Sequence, residues 1–120
     1  MGLYNFKKRF VPYILAGTKT HTIRSLRANP DKPGNTLHLY TGLRQKGARL
    51  LMRVPCVKVE EITVAADGAV VIEGVQLSDG ERDDFARRDG FPEGWPEMYA
   101  FWSTTHRLPF EGQIIHWRNP

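Results

Sequence analysis

Residues 17–24 read Gly-Thr-Lys-Thr-His-Thr-Ile-Arg, which puts an ammonium, an imidazole, a guanidinium and three hydroxyls into eight positions. Such a set suits two tasks: gripping a phosphate or nucleobase, or turning a threonine into a nucleophile. A threonine hydroxyl attacks poorly until a neighbouring base removes its proton. Lys19 can be that base for Thr22 only if its pKa falls towards neutrality. Burial and nearby positive charge, from Arg24 or Arg9, both push it that way. The spacing works against the pair, because in a regular strand positions 19 and 22 face opposite sides. They converge only if Lys19 occupies a turn after Gly17 or the strand bulges. On spacing alone, a solvated lysine at a strand start and a threonine chosen for β propensity outweigh the catalytic pair.

Other residues invite the same question. Asp89 falls at the end of a helical stretch, where the helix dipole favours cations. An acid there asks for a positive partner elsewhere, or else it is simply exposed. The stretch 42–49 carries Arg44, Lys46 and Arg49 between Gly42 and Gly47, a turn that can grip phosphates or merely be solvated. His38 and Tyr40 share a strand face and can line a pocket. Tyr13, Tyr40 and Tyr99 suit base stacking, while Trp95, Trp102 and Trp117 read as core. The four histidines (His21, His38, His106 and His116) lack metal-ligand spacing and Cys56 has no neighbouring cysteine, so no metal is expected. Neither a phosphate-cradling glycine loop nor a G-x-S-x-G elbow is present.

The chain of 120 residues fits one domain with its own core. A single cysteine excludes an internal disulfide, and with no signal-peptide pattern and no apolar run of spanning length the expectation is a cytoplasmic protein without a membrane segment. The net charge of +4 is unevenly spread: residues 1–53 hold 11 Lys and Arg against one acid, and residues 54–120 hold 6 against 12. A basic half attracts polyanions, unless the two halves neutralise each other across the fold.

The elements that must position these groups follow from patterning. Residues 3–6 read as a strand. A helix then starts near Lys8 or Arg9, since Pro12 is tolerated only in a first turn, and stops at Gly17. Strands are expected at 20–24, Thr36–Thr41, 50–64, 69–73 and 113–118, with Pro55 marking a bulge or an edge and Asp67-Gly68 a hairpin turn. Ser78 with Glu81 forms a capping box for a helix to Arg88, with Gly90 as its stop. Asp83 with Arg87 and Asp84 with Arg88 have ion-pair spacing along it. A second helix follows Pro96, its apolar face formed by Trp95, Met98, Phe101 and Trp102. The fold class is α+β, mainly β: a small closed barrel of five or six strands with one early helix and a late helical pair.

With these residues in place, the chain resembles the ASCH domain, a branch of the PUA-like superfamily of small RNA-associated β-barrels. The family's G-x-K-x-x-E-x-R motif is matched by Gly17, Lys19 and Arg24, with Thr22 in place of the glutamate. Residues 86–91, Ala-Arg-Arg-Asp-Gly-Phe, are similar to a late A-x-x-acid-G-F segment of the family, and Pro33-Gly34 ahead of a strand also fits. The resemblance implies a cleft for RNA or a modified nucleoside and no cofactor. One branch of the family deacetylates N4-acetylcytidine with a Lys-Thr-Glu triad. Carried over, Lys19 is the base, Thr22 the nucleophile and Asp89 the third member, one methylene shorter than the usual Glu. Arg24, His21, Tyr40, Arg44 and Lys46 are then candidates for binding substrate or nucleic acid. Four readings remain: an RNA- or nucleotide-binding domain, an amidohydrolase, a ribonuclease using Lys19, Arg24 and His21 or Tyr40, and a protein-interaction module.

Overall fold

One long strand organises the chain. The structure, a computed structural model, describes residues 2–119. In chain order it contains β1 (Gly2–Phe6), a 3-10 turn (Lys8–Phe10), α1 (Val11–Ala16), β2 (His21–Ser25), β3 (Thr36–Thr41), β4 (Arg49–Val64), β5 (Val70–Ile72), β6 (Val75–Gln76), α2 (Asp79–Arg88), α3 (Trp95–Thr105) and β7 (Phe110–Trp117). The first part of β4, through Pro55, runs antiparallel to β3, which pairs in parallel with β1. From Cys56 onward β4 pairs instead with β7, and β7 carries β2 on its other side. The end of β4 also pairs with β5 of the small β5–β6 hairpin. Pro55 sits at this change of partner. It lacks an N–H to donate, its carbonyl accepts from Arg118 N (3.2 Å), and the register irregularity falls just after it, between Cys56 and Lys58.

The seven strands form a mixed sheet that is not closed into a barrel: no ladder joins β1 to β2 among the described residues. Side chains fill that seam. Arg24 of β2 donates to the Asn5 carbonyl (2.8 Å), and Arg27 donates to the Leu3 carbonyl (3.0 Å). These β1 carbonyls are thus satisfied by guanidinium groups rather than by a partner strand. A single buried cluster ties both parts of the sheet to the helices. It includes Phe6, Leu37, Ile62 and Trp117 from the strands with Ile14, Phe85 and Met98 from the helices.

Several elements differ from the expectation. The early helix begins as a 3-10 turn, with Pro12 at the second position of α1. Strand β7 starts three residues early, at Phe110 rather than residue 113. Gly112 there is a site of close approach, since a Cβ would lie 2.3 Å from the Arg24 carbonyl oxygen. Strand β6 exists because Glu73 and Gly74 both take positive φ (49° and 79°) and turn the chain back. Neither expected ion pair on α2 forms. Asp83 instead accepts from the Trp95 N–H at the start of α3 (2.8 Å), and Arg87 reaches Asp84 at 3.6 Å. Satisfying an orphan helix N–H outweighs an exposed ion pair.

Candidate active site

The end of α2 aims the acid. Its start is fixed by the capping box: Ser78 Oγ accepts from Glu81 N (3.2 Å) and Glu81 Oε1 from Ser78 N (2.9 Å). Its end is a Schellman turn, with Phe91 N donating to Ala86 O (3.0 Å) and Gly90 N to Arg87 O (3.1 Å). Gly90 has φ +103°, and a Cβ there would meet the Phe10 ring at 2.9 Å. Asp89 is held between these features. Lys19 Nζ donates to its carboxylate Oδ1 (2.6 Å) and to its backbone carbonyl (2.8 Å). The cation that the helix C-terminus calls for is therefore supplied by a residue seventy positions away.

The end of α1 aims the lysine. Gly17 takes the left-handed conformation (φ +81°), and the N–H groups of Thr18 and Lys19 both donate to the Tyr13 carbonyl. Lys19 thus sits in the bend before β2, and the parity objection to its meeting Thr22 lapses. Both residues line one cleft of about 170 Å³ with Arg24 and Asp89, walled by Phe6, Phe10, Phe91, Phe101 and Trp102, with His106 also lining it. This is below the ~300–1,000 Å³ typical of clefts for drug-sized ligands. Arg24 Nε donates to Thr22 Oγ1 (3.0 Å), which leaves the threonine proton free to be given elsewhere. Of the three Nζ donors of Lys19, two are committed to Asp89.

The electrostatics are those of a dry pair. Lys19 is 3% exposed and Asp89 5%. Burial pushes the Lys19 pKa down, Asp89 opposes this and Arg24 assists it; the outcome is below the ordinary lysine value. Burial alone would raise Asp89, but Lys19 and His21 outweigh it and hold the carboxyl below its usual range. Arg24 is lowered to about 10, chiefly by burial and then by Arg27. His21 Nε2 lies 3.1 Å from the same Asp89 oxygen, but out of line for a hydrogen bond. Its ring stacks on Phe85 at 5.1 Å, and burial holds its pKa below normal.

The other expected site residues are distributed differently. His21 backs the site from beneath Asp89 and does not line the cleft, because its stack on Phe85 turns it into the core. Tyr40 and His38 do share the strand face opposite the buried Leu37 and Leu39, but they line neither this cleft nor the wider one below. The ribonuclease reading therefore loses both of its proton carriers from the cleft. Arg9 pairs with Glu97 (2.7 Å) and is not the charge that lowers Lys19. Arg44 lines the wider cleft, of about 510 Å³, which shares Asn5, Phe6 and Lys7 with the first; Lys46 does not. The aromatic walls and His106 were not singled out from sequence. Phe91, next to Gly90, and the apolar face of α3 were the signals for part of the wall, whereas His106 had none. It stacks on Trp102 at 4.1 Å, and burial followed by Lys7 and Arg24 lowers its pKa.

Among the described residues, no group of three or more His, Cys, Asp or Glu is arranged to hold a metal, and no helix is long and apolar enough to cross a membrane. Comparison with family models, with curated proteins and with solved structures finds no match for this chain.

Proposed function

We propose that the chain is a small amidohydrolase of the ASCH type, built on a split PUA-like barrel, that removes an acyl group from the exocyclic amine of a cytosine-like base. The observation that carries this reading is the buried Lys19–Asp89 pair, which lines one narrow aromatic cleft together with Thr22. Placing two charges out of water is costly, and a perturbed lysine in a cleft is a mark of chemistry.

In the reaction, the deprotonated form of Lys19, which its lowered pKa makes more accessible, takes the Thr22 proton as Oγ1 bonds to the acyl carbon. The carbonyl electron pair moves onto oxygen, and Arg24, already on Thr22 Oγ1, lies close enough to stabilise that charge. The C–N bond then breaks, and Lys19 returns the proton to the leaving amine. Water, deprotonated by Lys19, splits the Thr22 ester to a carboxylic acid and restores the hydroxyl. Asp89 keeps Nζ oriented throughout by its two contacts. The size of the cleft supports entry of a single ring with its acyl group, and its phenyl and indole walls favour a planar guest.

The test is incubation with N4-acetylcytidine while the conversion to cytidine is followed by chromatography. Turnover that disappears in Lys19→Ala and Thr22→Val is expected. No turnover above the Lys19→Ala control overturns the reading.

A further inference from the structure

The wider cleft is lined by Lys7, Lys8 and Arg44 and by no acid. None of these three cations is in an ion pair among the described residues. Elsewhere the basic half does find acids: Arg9 reaches Glu97 and Lys19 reaches Asp89. Most cations of the basic half stay unpaired among the described residues, and Lys7, Lys8 and Arg44 are the ones gathered in one cleft. The cleft is also shaped. Thr41 Oγ1 donates to the Phe6 carbonyl (2.7 Å), and Asn5 Oδ1 accepts from Leu43 N (3.0 Å), which ties the loop carrying Arg44 to β1. Gly42, at φ +71°, begins a turn closed by Gln45 N donating to its carbonyl (3.0 Å). Asn5, Phe6 and Lys7 line both clefts, so the first, inner cleft and the wider, outer one adjoin along the end of β1.

We infer that the outer cleft binds a phosphate of the ligand whose base occupies the inner cleft, so the preferred substrate is a nucleotide rather than a free nucleoside. This rests on the nucleobase reading of the inner cleft. The inner cleft at about 170 Å³ takes one ring, and the outer one at about 510 Å³ takes sugar and phosphate. Lys8 and Arg44 are in no ion pair, and Lys7 meets only the Phe101 ring face at 5.0 Å, so all three meet a phosphate without first breaking an ion pair, and each adds attraction that salt screens. The phosphate can come from a mononucleotide or from a strand.

The experiment measures binding by calorimetry for cytidine, cytidine 5′-monophosphate, cytidine 3′-monophosphate, ribose 5-phosphate and a short oligocytidylate. It uses the wild type, Lys8→Ala/Arg44→Ala and the charge-reversed Lys8→Glu/Arg44→Glu, with circular dichroism confirming that each folds. A monophosphate is expected to bind about tenfold more tightly than cytidine at low salt, with that ratio falling towards one in both variants. If only the oligonucleotide gains, the phosphate belongs to a strand, and its log–log salt slope should become shallower by roughly 1.4 when two cations are removed. Equal affinity for cytidine and every phosphorylated ligand overturns the inference. So does ribose 5-phosphate matching the monophosphates, because the phosphate site would then be uncoupled from the base. The readout needs no hydrolysis. A phosphate-dependent gain without deacetylation would sink the amidohydrolase and keep this site, and deacetylation without the gain would do the reverse.

Discussion

Asp31 and Asp89 are the two buried acids among the described residues, 7% and 5% exposed, and their surroundings differ in kind. Asp31 lies in the loop before β3 and is packed on Gly2, where no Cβ would fit. It accepts from the Tyr4 hydroxyl and from Asn35 Nδ2 (3.1 Å), and Arg27 stands 4.0 Å away, a third exposed. Burial, then the bond to Asp31, raises the Tyr4 pKa, so the phenol stays a donor. Asp31 lines neither cleft. Asp89 has instead a lysine as dry as itself, and the pair opens onto a cleft. A buried carboxylate is thus not by itself a sign of chemistry. Neutral donors make Asp31 a clasp between a loop and β1, whereas Asp89 has a desolvated cation and one side open to a cleft, the arrangement on which the proposed chemistry rests. Arg24 touches both regions, with its guanidinium 5.3 Å from the Tyr4 ring and its Nε on Thr22.

The sharpest way to break this contrast is to remove the lysine. Lys19→Met leaves the Asp89 charge buried with only the His21 ring beside it, which should cost up to ~3–5 kcal/mol in urea unfolding, and loss of the base should lower deacetylation by ~10²–10⁴. Lys19→Met/Asp89→Leu should recover much of the stability and none of the activity. If the single variant is as stable as wild type, the pair is not the dry ion pair described. Asp31→Asn is the matched control. It keeps shape but weakens the accepted hydrogen bonds, for about 1–3 kcal/mol, and should leave deacetylation at the wild-type rate. A large kinetic effect there would erase the distinction between the two acids.

Backbone geometry offers a second, smaller comparison. Gly90→Ala meets both a positive φ and the Phe10 ring, so a loss of more than ~1 kcal/mol is expected. The carboxylate next to it should move, and ångström displacements of a catalytic group reach about 10²-fold in rate. Gly34, in the Asp31 loop, has φ +98° but open space around it. Gly34→Ala should show the strain alone, with unchanged turnover.

Much of this was legible in the residues. Gly17, Gly90 and the Ser78–Glu81 box marked helix ends by conformation and capping, and those ends place Lys19 and Asp89. The misfit of an acid at the end of α2 called for a cation, and Lys19 is that cation. The seam between β1 and β2 was not legible. It depends on Arg24 and Arg27 side chains bonding to carbonyls, which leaves no periodicity to read, and a count of strands by itself suggested closure. Tyr40 illustrates a different limit: alternation gave its face, but not which groove that face borders. His21 looked like a cleft residue because it lies between Lys19 and Thr22 in sequence, yet only the Phe85 stack decides its direction.

The weakest expected effect is a slope, and it sharpens the comparison through pH. The Asp89 pKa is lower in the folded state than its ordinary 3.8. Below that ordinary value the unfolded chain takes up a proton that the folded one refuses, so stability falls as pH falls through the folded value. The contribution is present above pH ~4 and approaches at most about 1.4 kcal/mol per pH unit in the window. Lys19 is also lowered, from 10.5. Between its folded value and 10.5 the unfolded chain again holds the extra proton, so this group too makes stability rise with pH. Urea midpoints of wild type and Lys19→Met/Asp89→Leu, measured across both windows, should therefore differ in slope with the same sign at each end. Parallel curves would mean that neither group has been shifted by folding. In that case the contrast between Asp89 and Asp31 would rest on the cleft alone, because the lysine pKa would no longer stand below its ordinary 10.5.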